Sequence, residues 1–259
     1  MTPSSSSVLQ VEGLGHRYGT STVLRDVSFA VAPGEVVAVV GPSGAGKTTL
    51  FRCITRLIEA DHGSVRVGGR DLAALRGREL RLARRDVGLI FQQYNLVRRR
   101  SALGNVLLGR LAHLPAWRAL LQRPGPDESA LARSCLDQVG LGRYAGARAD
   151  RLSGGQQQRV AIARALAQRS RLVLADEPVA SLDPASAAGV LQALGTVARD
   201  HGIAVVCSLH QVELIAGFAD RVIGLRAGEV VRDGPASTFG PGDRTAVYGP
   251  APATIRTPA

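Results

Sequence analysis

Lysine is almost missing from this chain. Among its 32 basic residues only Lys47 is lysine, and the other 31 are arginine. Aromatic side chains make up 4% of the 259 residues, so any core must be aliphatic and alanine-rich. The 45% hydrophobic content is enough for one large or two small domains. Cysteine is sparse too: Cys53, Cys135 and Cys207 stand far apart with no C-x-x-C pair. That spacing argues against a disulfide scaffold or a thiolate metal site, and the three read as small buried groups in a reducing compartment. No apolar run reaches the roughly 18 residues that a membrane-spanning helix needs, so membrane contact is expected through a partner. Met1 to Ser7 is polar and is expected to be a disordered start rather than a signal peptide. Acidic residues number 21, leaving a net charge of +11. Such a balance raises nucleic acid or an anionic membrane as partners. No aromatics interleave the basic clusters, which argues against a single-strand stacking platform. Arginine bias is the plainer explanation, and no nucleic acid partner is expected.

The one lysine sits in Gly41-Pro42-Ser43-Gly44-Ala45-Gly46-Lys47-Thr48, a full match to the phosphate-binding loop G-x-x-x-x-G-K-[ST]. Glycines let such a loop curl so that successive N–H groups point at phosphate oxygens. Lys47 is then expected to reach the terminal phosphates, and the Thr48 hydroxyl to ligate Mg²⁺. Val36 to Val40 before the loop is an unbroken apolar run, as in a buried parallel strand. After it, Leu50, Phe51, Ile54, Leu57 and Ile58 recur at helical spacing, so a helix N-terminus faces the phosphates. A compact ammonium kept in a chain that otherwise uses the planar guanidinium fork points to a selected role.

Elsewhere the pattern is α/β. Strands are expected at Val8 to Leu14, with a turn at Gly15 to Gly19, then at Val23 to Val31, Ser64 to Val67 and Val87 to Phe91. Leu75 to Arg85 reads as a basic helix. From about Gln92 to Arg151 the strand signals vanish, leaving helical segments at Val106 to Leu111, Trp117 to Leu121 and Ala130 to Val139. The α/β pattern resumes with strand Leu172 to Asp176, a helix from Pro184, strand Ile203 to Leu209, a helix near Val212 to Ala219 and strand Val222 to Leu225. Pro241 to Ala259 is rich in Pro, Ala, Thr and Gly and is expected to be disordered.

Strand Leu172 to Asp176 delivers two consecutive carboxylates. Asp176 is placed to supply an oxygen ligand to Mg²⁺, and Glu177 to polarise a water for attack on a γ-phosphate. His210 ends the next strand, where the carboxyl edge of a parallel sheet lines its ligand crevice. Ser153 is a good N-cap, and Gly154 and Gly155 would expose helix N–H groups to an anion. An ordinary capped helix would not account for the glycines or for the three glutamines that follow, none of them an evident capping choice.

Together these segments resemble the ATP-binding cassette proteins over about Val8 to Gly234. Gly41 to Thr48, with Thr49, is similar to Walker A, Leu152 to Gln156 to the signature motif, and Leu172 to Glu177 to Walker B. Ser181-Leu182-Asp183 resembles the D-loop. Gln92 matches the Q-loop glutamine, His210 the switch histidine, and Tyr18 the aromatic that stacks on adenine. The resemblance implies a P-loop NTPase fold with a RecA-like core, an antiparallel β subdomain and a helical subdomain over about residues 93–165, all within residues 8–240. It implies Mg-ATP held by Lys47, Thr48, Gln92 and Asp176, with Glu177, His210 and Gln92 serving catalysis. In a homodimer, Ser153 to Gly155 of one copy would complete the other's site, with Gln156 and Asp183 also among the nucleotide-binding residues.

Ile90 to Val97, Ala175 to Pro184, Leu209 to Val212, Ala219 to Leu225 and the Trp117 to Leu121 segment look like the ATP-binding subunits of bacterial phosphonate importers. Such a subunit would lie on the cytoplasmic side of the inner membrane, bound to permease subunits and served indirectly by a periplasmic solute-binding protein. Phosphate, phosphite or another small solute stays open as cargo, and a cassette acting on DNA or the ribosome is the alternative of a different class. Arg98-Arg99-Arg100 and Gly104 depart from the pattern, where fewer arginines and a glutamate are expected. That stretch borders the expected permease contact.

Overall fold

The computed structural model describes residues 7–115, 117–118 and 124–250. Residues 1–6, most of the Trp117 to Leu121 segment and residues 251–259 lie outside the described part.

Two sheets organise the chain. The first is antiparallel, in the order β2 (Ser21–Val31), β1 (Leu9–Tyr18), β4 (His62–Val67), β5 (Arg70–Asp71). The second runs β10 (Glu229–Pro235), β9 (Arg221–Arg226), β3 (Val36–Val40), β8 (Ala204–Leu209), β7 (Leu172–Asp176), β6 (Val87–Ile90). Its five strands from β9 to β6 are parallel, and β10 pairs antiparallel at the edge.

The parallel sheet is covered on both faces, as its continuous apolar strands require. Alternation along β3 divides the core. Val36, Ala38 and Val40 face one cluster with Leu194 and Val205, while Val37 and Val39 face another with Leu50 and Leu174. Helix α1 (Lys47–Ile54) and the antiparallel sheet close the second face. The first face is closed by α3 (Ala102–Leu108), α4 (Pro126–Gln138), α5 (Gly154–Ala167) and α6 (Pro184–His201). Helices α3, α4 and α5 pack on one another and all lie between β6 and β7 in the chain.

Several boundaries differ from expectation, each for a local reason. Strand β1 runs on to Tyr18 because irregular pairing lets it pass Gly13 and Gly15, so the turn shrinks to Gly19-Thr20. Helix α1 stops at Ile54 instead of reaching Ile58: Arg56 adopts φ +55°, and the Thr55 hydroxyl donates back to the Phe51 carbonyl at 2.9 Å. Helix α2 (Gly77–Ala83) is shorter than its basic run. Past His210 only a 3-10 turn, Val212–Leu214, forms.

The stretch from Pro241 is not without order. Residues Pro241–Tyr248 form α7, with Pro241 in the first turn and the Asp243 carboxylate accepting the Gly240 N–H at 2.9 Å. Val247 on α7 is fully buried against Gly224 of β9.

Candidate functional site

Register in the parallel sheet brings the site together. Val40 pairs with Leu209, and Asp176 pairs with Ser208. Gly41, His210 and Glu177 therefore leave three adjacent strands at the same carboxyl edge, where open α/β sheets bind ligands.

The phosphate loop needs its glycines. Gly41, Gly44 and Gly46 have φ of +159°, +80° and +104°. A Cβ on Gly41 would lie 2.1 Å from the Leu225 carbonyl oxygen, and one on Gly46 would lie 2.8 Å from that of Val23. The first helical hydrogen bond of α1 runs from Leu50 N–H to the Gly46 carbonyl at 2.8 Å. The N–H groups of Lys47, Thr48 and Thr49 are thus first-turn donors that the helix does not use. Ala45 and Pro42 close the loop between them through an N–H···O bond of 3.1 Å, and Ser43 is exposed.

Lys47 is buried, and its Nζ donates to the carbonyls of Gly41 (2.8 Å) and Pro42 (3.2 Å). Burial lowers its pKa, and the carboxylates of Glu177 and Asp176 act in the opposite sense. An ammonium held by two loop carbonyls, next to unused first-turn N–H groups, suits an anionic group.

Glu177 carries the strain of the site. It has φ +49°, left-handed for a residue with a Cβ, and its Oε1 lies 2.9 Å from Nε2 of His210. Asp176 shares a small cleft with Thr48, Phe91 and Leu174. The oxygen donors Thr48 and Asp176 thus face one space, fitting a hard cation that takes its other ligands from phosphate and water. Among the described residues no three His, Cys, Asp or Glu side chains gather as a self-sufficient metal cage. Gln92 follows Phe91 in an exposed turn.

Tyr18 is at the tip of the β1–β2 hairpin, 47% exposed, with its ring edge-on to His16 at 4.7 Å. The same hairpin end carries Val23, which touches Gly46. A half-exposed ring whose contact with His16 is edge-on offers a face on which a base could stack.

Ser153 caps α5, and here the glutamines do have a structural part. The Ser153 hydroxyl accepts the Gln156 N–H at 3.3 Å, and the Gln156 side chain accepts the Ser153 N–H at 3.0 Å, a full capping box. Gln157 donates to the Leu152 carbonyl at 2.9 Å, and Gln158 is fully buried. Gly154 packs against Tyr94 and Leu182, and Gly155 against Ser186. Asp183 caps α6 by accepting the Ser186 N–H at 3.0 Å, and these bonds hold its pKa below the usual range. Residues 153–156 sit on the D-loop side of the molecule and make no hydrogen bond to the phosphate loop among the described residues.

Three supporting groups had no signal in the sequence reading. The Ala227–Gly228 turn, with φ of +49° and +83°, joins β9 to β10. It ties Ala45 to the hairpin, since Gly228 N–H donates to the Ala45 carbonyl at 3.1 Å and Arg25 N–H to that of Gly228 at 2.9 Å. Arg164 of α5 donates to the carbonyls of Asn95 (2.7 Å) and Tyr94 (3.1 Å), both left-handed residues just after Gln92. Ser208, fully buried on β8, hydrogen-bonds beside both acids of the site.

Comparison with known proteins agrees with this geometry. The family model described as ABC transporter matches residues 24–180. The phosphonates import ATP-binding protein PhnC 2 of Rhodopseudomonas palustris (strain BisB18) is 53% identical over 89% of this chain and 85% of its own length. The hypophosphite import ATP-binding protein HtxD of Stutzerimonas stutzeri is 49% identical over 89% of this chain and 68% of its own. Among solved structures, the dimeric post-hydrolysis state of the ATP-binding cassette MJ0796 bound to ADP and Pi superposes with TM-score 0.75 at 34% identity. It covers 88% of this chain and 98% of that one. This chain belongs to the ABC transporter family, on its branch of import ATP-binding proteins.

Proposed function

We propose that this chain is the ATP-hydrolysing subunit of a phosphonate importer. The observation that carries the catalytic reading is the contact of Glu177 with His210 at the mouth of the phosphate loop. The loop N–H groups and Lys47 bind the phosphates, Tyr18 stacks on the base, and Thr49 continues the first-turn donors. Mg²⁺, when bound, neutralises phosphate charge, and Thr48, Gln92 and Asp176 offer the oxygen ligands it takes. Glu177 orients and polarises the attacking water, and His210 holds Glu177 while contacting the γ-phosphate. Among the described residues, Ser153 to Gln156 make no hydrogen bond to their own chain's loop. A second copy brings its own set over the γ-phosphate, with Asp183 at the seam. Closing on ATP and opening after hydrolysis is the stroke passed to the permease.

The protein works at the cytoplasmic side of the inner membrane, peripherally, a location supported by its likeness to import ATP-binding proteins; no described helix is long and apolar enough to cross a membrane. A periplasmic solute-binding protein delivers cargo to the permease without touching this chain. Relatives named for phosphonates and for hypophosphite support a small phosphorus oxyanion as cargo.

The test is co-purification from solubilised membranes, followed by growth of a deletion strain on phosphonate, phosphite, hypophosphite or phosphate as sole phosphorus source. Recovery of a multi-span membrane protein and loss of growth on phosphonate are expected. Salt-sensitive binding to duplex DNA with no membrane partner would overturn the reading.

A further inference from the structure

Ser208 is fully buried on β8, between Val39 of β3 and Asp176 of β7 in the parallel register. It carries the only hydroxyl in the strand Ala204–Leu209. Its Oγ lies 2.8 Å from Oδ1 of Asp176 and 2.8 Å from the backbone nitrogen of Glu177. An ionised carboxylate only accepts, so the single Ser208 proton goes to Asp176, and its lone pair receives the Glu177 N–H. One hydroxyl therefore grips two consecutive acids, the first by its side chain and the second by its backbone.

The second grip falls where the backbone needs it. Glu177 is held at φ +49°, a conformation that a residue with a Cβ keeps only when its surroundings impose it. That turn carries the Glu177 carboxylate to His210, at 2.9 Å. Alanine at 208 would leave the Glu177 N–H and one Asp176 oxygen without this partner in a water-poor edge of the core.

Resting on the catalytic reading above, we propose that Ser208 is a positioning residue for ATP hydrolysis. It fixes the spacing between the metal-facing Asp176 and the water-polarising Glu177 without touching nucleotide itself. Two coupled consequences follow. Metal affinity depends on Ser208 through Asp176, and kcat depends on it through Glu177. Nucleotide affinity, set by the phosphate loop and Tyr18, does not.

The experiment compares wild type, Ser208→Ala and Ser208→Thr as purified full chains. The measurements are kcat, KM for ATP, thermal unfolding, and Mn²⁺ affinity of the ATP-loaded protein by electron paramagnetic resonance. For Ser208→Ala the expected result is a fall in kcat of about 10- to 100-fold, with KM within about twofold. Mn²⁺ affinity falls several-fold, and Ser208→Thr, which keeps the hydroxyl, recovers both. Unchanged kcat and Mn²⁺ affinity in a folded Ser208→Ala protein would overturn the proposal. So would a lower Tm with both quantities intact, the mark of a merely structural serine. If wild type turned over no ATP, the catalytic reading would fall. The Mn²⁺ titration would still decide whether Ser208 holds Asp176.

Discussion

Nε2 of His210 and Oε1 of Glu177 lie 2.9 Å apart, although 33 positions separate the two residues in sequence and they follow different strands. The pairing of β7 with β8 brings them together, and it leaves both side chains partly open to solvent. Glu177→Gln keeps the shape and removes the base. Steady-state ATP turnover is expected to fall by about 10²- to 10⁴-fold while ATP binding persists. His210→Ala is expected to lower kcat with little change in KM. Unchanged turnover in Glu177→Gln would remove that residue from its role.

Lys47 donates to the Gly41 and Pro42 carbonyls from a buried position, geometry that suits a compact ammonium and not a guanidinium. Lys47→Arg is therefore expected to weaken ATP binding by about tenfold or more and to block ATP-driven closure, despite the kept charge. Fluorescent-nucleotide titration checks the first effect and sedimentation the second.

Two glycine substitutions should have opposite consequences. A Cβ at Gly228 would lie 2.4 Å from the Val23 carbonyl oxygen at φ +83°, so Gly228→Ala should cost about 1–3 kcal/mol and lower Tm by several degrees. Gly242, within α7, has nothing within 4 Å of its Cβ position, and Gly242→Ala should be neutral or raise Tm slightly. Differential scanning calorimetry of the two variants distinguishes the cases.

The thiols give a pH test. Burial pushes Cys53 up to about 12 and Cys135 up to about 11, from an ordinary value of 9.0, and raises Cys207 as well. The folded state then holds protons that the unfolded state has lost, so stability should decline as pH rises from about 9 through 11. Below pH 9 the thiols should be silent, and native protein should resist maleimide until denatured. Rapid labelling at pH 7 would contradict their burial.

Much of the site was legible because phosphate binding restricts backbone choice. Gly41 to Thr48 and Asp176-Glu177 each follow an unbroken apolar run, and His210 follows a strand whose one polar residue is Ser208, a pattern that puts all three at one sheet edge. Elements depending on non-local partners were less readable. Strand β10 alternates exposed and half-buried residues and has no apolar face of its own. Helix α7 hides in a Pro-Gly-Asp stretch whose composition suggests a tail, yet Pro241 and Asp243 are helix-start residues and Val247 supplies the anchor. Gln156 has a capping use only through its reach back to the Ser153 N–H, which residue type alone does not show. Ser208 carries no motif at all. Its importance comes from standing opposite Asp176 in the sheet.

The proposed site is one that a single chain holds only in half. Sedimentation velocity of Glu177→Gln with and without Mg-ATP tests this most directly, alongside the same protein carrying Ser153→Glu to place a charge where the γ-phosphate would meet the partner's signature. The expected result is a monomer without nucleotide, a dimer with ATP, and a monomer again with Ser153→Glu despite retained ATP binding. Glu177→Gln that binds one ATP per chain and stays monomeric would contradict it.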